Sequence, residues 1–203
     1  MSHYYDHDQT IASKESIISF EIFNKSITLI TDNGVFSKNR VDEGSFAFLK
    51  VLIPLSLGKT ILDLGCGYGT IGLTLALFQK EARVDLADIN TRALALCKKN
   101  ANNLNLSDRT DVIESDIYSN IRGPYDSIVV NPPIRAGKQV TYAMYSGAKQ
   151  CLIDGGSLYV VIRRAQGALT AAEYIKSVFG NCTLLDRSKG YYIYKATKNE
   201  ENL

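Results

Sequence analysis

Asn131, Pro132, Pro133 and Ile134 follow directly on the β-forming run "DSIVV". Neither proline can donate to a sheet ladder, so a strand must end there in a stiff corner. The Asn131 side-chain oxygen and the Pro132 carbonyl then become two hydrogen-bond acceptors with fixed directions. Such a pair suits the alkylation of a planar nitrogen. The lone pair of an exocyclic amine or carboxamide is delocalised, and the nitrogen must move toward tetrahedral geometry as it attacks. Two preorganised acceptors off the amine plane favour that geometry. Asn131 is no base at neutral pH, so its part is polarisation and positioning.

A second cluster lies upstream in "ILDLGCGYGTIG", where Gly65, Gly67 and Gly69 have the spacing G-x-G-x-G. A dinucleotide fingerprint needs a further glycine where Thr70 stands, and no Walker lysine is present. Asp63, just before the triplet, would repel a pyrophosphate and suits a cationic ligand. Asp88 ends the next β-forming run, at the distance where an acid meets ribose hydroxyls, and Asp116 ends the one after. Together they describe a nucleoside ligand whose other end is an amino acid or cation. Each also has a plainer structural use: Asp63 as acceptor for local amides, Asp88 as an acid at a helix N-terminus, Asp116 as a turn former. Cys66 reads as a small residue in a tight loop, because no histidine in the folded region could activate it.

The stretches "ILDLGCGYGTIG", "DIN", "ESDIYS" and "VVNPPIRAG" together resemble a class I S-adenosylmethionine-dependent methyltransferase. "DNGVFSKNRVDEGS" resembles the "GVFS…D.GS" segment of the methyltransferase small domain family, which includes ribosomal RNA guanine-N2 methyltransferases. The resemblance covers about residues 16–196. It implies S-adenosyl-L-methionine as cofactor, with Asp63, Gly65, Cys66, Gly67 and Gly69 around its methionine part. Asp88 and Ile89 would meet the ribose, Asp116 and Ile117 would flank the adenine, and Asn131 would border both cofactor and acceptor. Asn131, Pro132, Pro133 and Ile134 form the implied catalytic corner. Ribosomal members carry a further N-terminal domain with no counterpart here, which leaves the target open. Ile134 also departs from the family, where an aromatic residue normally follows the prolines. Phe36, Tyr142 and Tyr192 are the candidates to supply an aromatic face instead.

These residues need a scaffold that brings distant loops to one edge. From residue 58 onward, short apolar runs alternate with helical patterns. "KTILDL", "ARVDLAD", "TDVIES", "DSIVVN" and "SLYVVI" read as strands. "TIGLTLALFQK", "TRALALCKKNANNL", "YAMYSGAKQCLIDGG" (closed by its Gly-Gly) and "GALTAAEYIKSVFG" read as helices. The last has Ala168, Ala172, Ile175 and Phe179 in register. This alternation predicts a doubly wound, mainly parallel α/β sheet with an antiparallel edge hairpin around Ser188-Lys189-Gly190, and the resemblance implies the seven-stranded, Rossmann-like methyltransferase form of it. Ahead of it, "SIISFEIFNKSITLITD" predicts a small β-hairpin turning at Asn24-Lys25. "VDEGSFAFLKVLI" predicts a helix capped by Asp42, with Phe46, Leu49 and Ile53 on its inner face.

Residues 1–15 read as a flexible tail and 16–203 as a single methyltransferase domain. His3 and His7 belong to that tail, and no metal site is expected. The four cysteines are scattered without a C-x-x-C pair, as in a reducing compartment. No apolar run is long enough to span a membrane and no signal pattern opens the chain, so a cytoplasmic location is expected. The net charge is only +2, so any nucleic-acid partner must be met by local clusters. Basic residues do gather in the loops beside the motifs: Lys38 and Arg40, Arg135 and Lys138, Arg163 and Arg164, and Lys189. With Phe36, the residues Lys38, Arg135, Lys138 and Arg163 are the expected substrate contacts, the partner being RNA, ribosomal RNA or a ribosomal subunit. The activity expected is methylation of an exocyclic base amine, guanine N2 of ribosomal RNA first. Glutamine N5 or adenine N6 methylation, or a catalytically silent cofactor-binding RNA module, are the alternatives. Oligomeric state is left open.

Overall fold

The structure, a computed structural model, describes residues 13–33, 35 and 40–199, without the side chain of Arg135. Two strands come first, β1 (Glu15–Ile22) and β2 (Lys25–Asp32). The main sheet is built from β3 (Thr60–Leu64), β4 (Arg83–Asp88), β5 (Thr110–Glu114), β6 (Tyr125–Val130), β7 (Leu152–Arg163), β8 (Thr183–Ser188) and β9 (Tyr191–Thr197). The helices are α1 (Glu43–Leu52), α2 (Thr70–Phe78), α3 (Thr91–Asn103), α4 (Lys138–Cys151) and α5 (Ala168–Phe179).

The sheet order is β5-β4-β3-β6-β7-β9-β8. Its first five strands are parallel, and β9 runs antiparallel to both its neighbours. This is the mainly parallel sheet that the alternating sequence pattern predicts, in the Rossmann-like methyltransferase form that the resemblance implies. The chain winds outward from β3 to β5, then returns to β6 on the other side of β3. That reversal opens a crevice at the carboxyl ends of β3 and β6. Gly65 follows β3 and Asn131 follows β6, so the glycine loop and the proline corner face each other across it.

Apolar side chains from α1, α2, α3 and the β1–β2 hairpin pack on one face of the sheet. Those of α4 and α5 pack on the other. The central strands are covered on both sides, which is why β6 ends in three consecutive buried apolar residues, Ile128, Val129 and Val130.

Local details differ from the sequence reading for identifiable reasons. The first hairpin turns at Phe23–Asn24, both at positive φ (46° and 59°), one residue earlier than expected. Ser13 and Lys14 are held fast rather than loose, for the Ser13 hydroxyl and the Lys14 N–H donate to the Asp32 carboxylate at 2.9 and 2.8 Å. His3 and His7 lie outside the described residues. In α1 the buried face is Ala47, Phe48, Leu49 and Leu52, while Phe46 and Ile53 are half-buried. Phe46 instead meets Phe20 of the hairpin edge-on. In α5 it is Ala171, not Ala172, that joins Ala168, Ile175 and Phe179. The Gly155-Gly156 pair lies inside β7 rather than ending α4. A Cβ on Gly156 would come within 2.9–3.1 Å of three backbone carbonyls, so glycine there admits a close strand contact. Among the described residues no helix is long and apolar enough to cross a membrane, and no His, Cys, Asp or Glu group could hold a metal ion.

Candidate active site

The crevice contains a cleft of ≈ 350 Å³. Of the expected cofactor residues, Gly65, Asp88, Ile89, Asp116 and Ile117 line it. Pro133 of the corner closes one end, and Val140 and Met144 of α4 form the far wall. Gly65 and Gly67 adopt φ of 80° and 56°, which L side chains rarely do. A Cβ on Gly67 would meet nothing within 4 Å, so the loop backbone is open to a ligand on that side. Asp88 ties the two loops together: its Oδ2 accepts from the Gly67 N–H at 2.8 Å and its Oδ1 from the Asn90 N–H at 2.9 Å. Each oxygen keeps a further lone pair for a hydroxyl donor.

Five expected cofactor residues, Asp63, Cys66, Gly67, Gly69 and Asn131, are not on the cleft wall. Asp63 is only 1% exposed and accepts from the Gly72 N–H at 2.7 Å, tying β3 to the first turn of α2. Burial pushes its pKa up to about 7; the Gly72 amide opposes the rise and the Asp88 charge adds to it. Gly69 starts α2, where a Cβ would come within 2.9 Å of both Leu73 and the Cys97 sulfur. It serves packing. The Cys66 thiol is buried, and burial together with the neighbouring Cys97 holds its pKa well above the usual thiol value. It stays protonated and is no nucleophile.

At the corner, Asn131 Nδ2 donates to the Ser45 hydroxyl at 3.0 Å. Ser45 lies in the first turn of α1, fixed by the Asp42 cap, whose carboxylate accepts from the Ser45 N–H at 2.9 Å. With the amide nitrogen engaged by Ser45, Asn131 Oδ1 is left as the acceptor. Pro132 is buried and Ile134 half-buried. A cleft with carboxylate and apolar flanks is therefore bordered by Pro133, two residues after a preorganised amide.

A family model described as methyltransferase small domain matches residues 26–195. The chain belongs to the methyltransferase small domain family. It is 38% identical over 198 residues to the uncharacterized protein YbxB of Bacillus subtilis, covering 97% of this chain and 98% of that one. It is 35% identical over 179 residues to ribosomal RNA small subunit methyltransferase C of Erwinia tasmaniensis, covering 85% of this chain and 50% of that one. Among solved structures, the T. thermophilus 16S rRNA N2 methyltransferase RsmC, in complex with AdoMet and guanosine, is similar with a TM-score of 0.82 at 26% identity. The match covers 93% of this chain and 52% of that one. The chain thus spans about half the length of these two ribosomal RNA enzymes.

Several parts of this small-domain methyltransferase escape sequence reading. Ile117 is a β-branched residue at φ 51°, a strained conformation on the cleft wall. Ser115 holds it there, its hydroxyl donating to the Ile117 carbonyl at 2.9 Å and accepting from the Asn120 N–H at 3.1 Å. The one available signal was a serine buried at a strand end. Met144 is positioned by Tyr118, whose hydroxyl donates to the Met144 carbonyl at 2.7 Å. Asn100, 1% exposed in α3, joins the hairpin to the glycine loop. It exchanges hydrogen bonds with the Ile30 backbone at 2.7 and 2.9 Å and donates to the Tyr68 carbonyl at 2.9 Å.

The basic rim is partly described. Lys138, Arg163, Arg164, Lys189 and Arg40 are all exposed. Lys138 opens α4 beside the corner, and Arg163 ends β7 at the same sheet edge as Asn131. Phe36 and Lys38 lie outside the described residues, as does the Arg135 side chain. Lys189 is not wholly free, since its Nζ is 3.6 Å from Glu43.

Proposed function

We propose that this protein is an S-adenosylmethionine-dependent N-methyltransferase, a single catalytic domain over residues 16–203, that methylates guanine N2 in ribosomal RNA. The observation that carries this reading is the Asn131 amide, oriented by Ser45 and followed two residues later by Pro133 on the wall of the cleft. The bound cofactor supplies an electrophilic methyl group. The protein's own residues do the rest. Asp88 and Ile89 meet the ribose, Asp116 and Ile117 flank the adenine, and the loop of Gly65 and Gly67, its backbone open at Gly67, admits the methionine part. Asp63, beneath that loop, supplies negative charge near a cationic ligand without touching it.

On the acceptor side, Asn131 Oδ1 and the Pro132 carbonyl accept from the exocyclic amine and favour its pyramidal form as it attacks. Among the described residues no strong base is placed at the corner, and the surplus proton leaves to water. Alignment of nitrogen, methyl and sulfur is the main source of acceleration, worth up to ~7–11 kcal/mol in well-aligned cases. The exposed Lys138 and Arg163 suit an RNA backbone, with the target base unpaired or flipped. The relatives named ribosomal RNA methyltransferases support RNA as the acceptor class.

Nucleoside mass spectrometry of ribosomal RNA from cells with and without the gene tests the reading. Loss of N2-methylguanosine at one site, restored by the purified protein and S-adenosylmethionine, is the expected result. Unchanged ribosomal RNA together with a methylated glutamine in a protein would replace the base-amine reading.

A further inference from the structure

A base presented to Asn131 needs a flat apolar wall while its amine is aimed, and Ile134 is not aromatic. Two of the aromatic side chains that could replace it are committed elsewhere. Tyr142 stacks on Tyr174 with ring centroids 4.0 Å apart and planes 13° from parallel. Tyr192 packs on the α4–α5 side of the sheet, with the Arg187 guanidinium 5.1 Å from its ring centroid.

Tyr191 is placed differently. It opens β9 at the carboxyl edge of the parallel strands, in register with Arg163. Ile193 packs on the α1–α3 side and Tyr192 and Tyr194 on the other. Alternation therefore turns Tyr191 toward α1. Its ring lies against Gly44, where a Cβ would come within 2.7 Å of Tyr191 Cε1 and 3.1 Å of Cδ1. Gly44 sits within α1, so the missing side chain there makes room for the ring. The next residue, Ser45, holds Asn131. Three residues of "DEGS" thus have separate tasks on one helical turn: Asp42 caps it, Gly44 seats Tyr191, and Ser45 orients the amide. Tyr191 is half-buried, and exposed Arg163 and Lys189 lie beside it along the chain and in register.

The geometry points to Tyr191 as the aromatic wall of the acceptor site, packing on the purine whose amine is presented to Asn131. This rests on the proposed base-amine chemistry. The test uses whichever RNA the wild-type enzyme methylates. Tyr191→Ala should lower kcat/KM for that RNA by about 10–100-fold, the scale of one lost base–aromatic stack. Tyr191→Phe should stay within about threefold of wild type, since the ring face does the work. S-adenosylhomocysteine affinity, measured by calorimetry, should be the same in all three. A second readout works at the level of binding. With 2-aminopurine at the target position, fluorescence should be quenched by wild type and Tyr191→Phe and clearly less by Tyr191→Leu. Full kcat/KM in Tyr191→Ala, or equal quenching by Tyr191→Leu, overturns the inference while leaving the proposed function standing. A wild-type enzyme that labels no RNA base overturns both.

Discussion

The two sides of the crevice are built in different ways. The cofactor side is local and already tied down. Gly65 to Gly69 form one loop, and Asp88 bonds two of the backbone amides around it. The acceptor side is assembled from separate segments: Asp42, Gly44 and Ser45 on α1, Asn131 to Ile134 after β6, Arg163 after β7, and Tyr191 at the start of β9. A ligand common to many enzymes can be met by short loops at the ends of three neighbouring strands, with few variables. A particular acceptor needs a surface that several loops can vary independently. The two sides should therefore respond differently to substitution. Changes on the acceptor side should act on turnover, and changes on the cofactor side on binding.

The largest effect is expected at Asn131, whose proposed role belongs to the transition state. Asn131→Ala should lower kcat by about 10²–10³-fold, the cost of one preorganised electrostatic partner. S-adenosylhomocysteine affinity should hardly move. Single-turnover kinetics and calorimetry on the same preparation separate the two. A fully active variant would reduce the corner to a strand terminator.

Asp88→Ala should give the opposite signature. Cofactor affinity should fall by about 1.5–3 kcal/mol, the range for hydrogen bonds to a charged group. With saturating cofactor, kcat should largely recover. The Gly67 and Asn90 amides also lose their acceptor, so Asp88→Asn, which keeps one oxygen, should be milder. Equal affinity in Asp88→Ala and wild type would remove Asp88 from the cofactor site.

Ser45→Ala is a smaller test of the acceptor side. It frees the Asn131 amide to rotate without removing it. One neutral hydrogen bond contributes about 0.5–1.5 kcal/mol, so kcat should drop roughly two- to tenfold with cofactor affinity unchanged. A drop as deep as that of Asn131→Ala would give Ser45 a direct part in the chemistry.

The same contrast explains what was legible in the sequence. The mainly parallel sheet and the edge that carries the crevice follow from alternating elements and two glycine- and proline-marked loops, both of which are local patterns. Asp88, which ends a β-forming run, and Ile89 and Ile117, which the family resemblance singles out, do line the cleft. Ser45, Tyr118, Asn100 and Tyr191 were missed because their partners lie far away in the chain, as with Ser45 and Asn131 at 86 residues' separation. No periodicity reports a contact of that range. Asp63 and Gly69 were read as ligand contacts for a related reason: the loop motif marks them without saying which of its residues face inward. The face of α1 was drawn one position off because Phe46, the most apolar choice, packs against the hairpin and not the sheet.

The smallest effect on binding is expected at Asp63, and its signature is pH dependence. In the folded chain its pKa is raised from 3.8 to about 7, first by burial and secondarily by Asp88. Between those values the folded protein keeps a proton that the unfolded chain has lost. Stability therefore declines as pH rises through this window, and the full cost is present above about pH 7. Asp63→Asn retains a carbonyl to accept from the Gly72 N–H but has nothing to ionise. Its melting temperature should fall less between pH 5 and pH 8 than that of wild type. Binding should show the reverse dependence, because a cationic ligand favours the ionised carboxyl below it. Wild-type affinity for S-adenosylmethionine, which carries the sulfonium charge, should rise as pH increases through about 7, whereas the Asp63→Asn profile should be flatter and the affinity at pH 8 only a few-fold weaker, on the order of 1 kcal/mol or less across a buried but indirect charge. Superimposable melting and binding profiles for the two proteins would mean that Asp63 serves only as a backbone acceptor for α2, and the cofactor side would then hold its cation through the loop backbone alone.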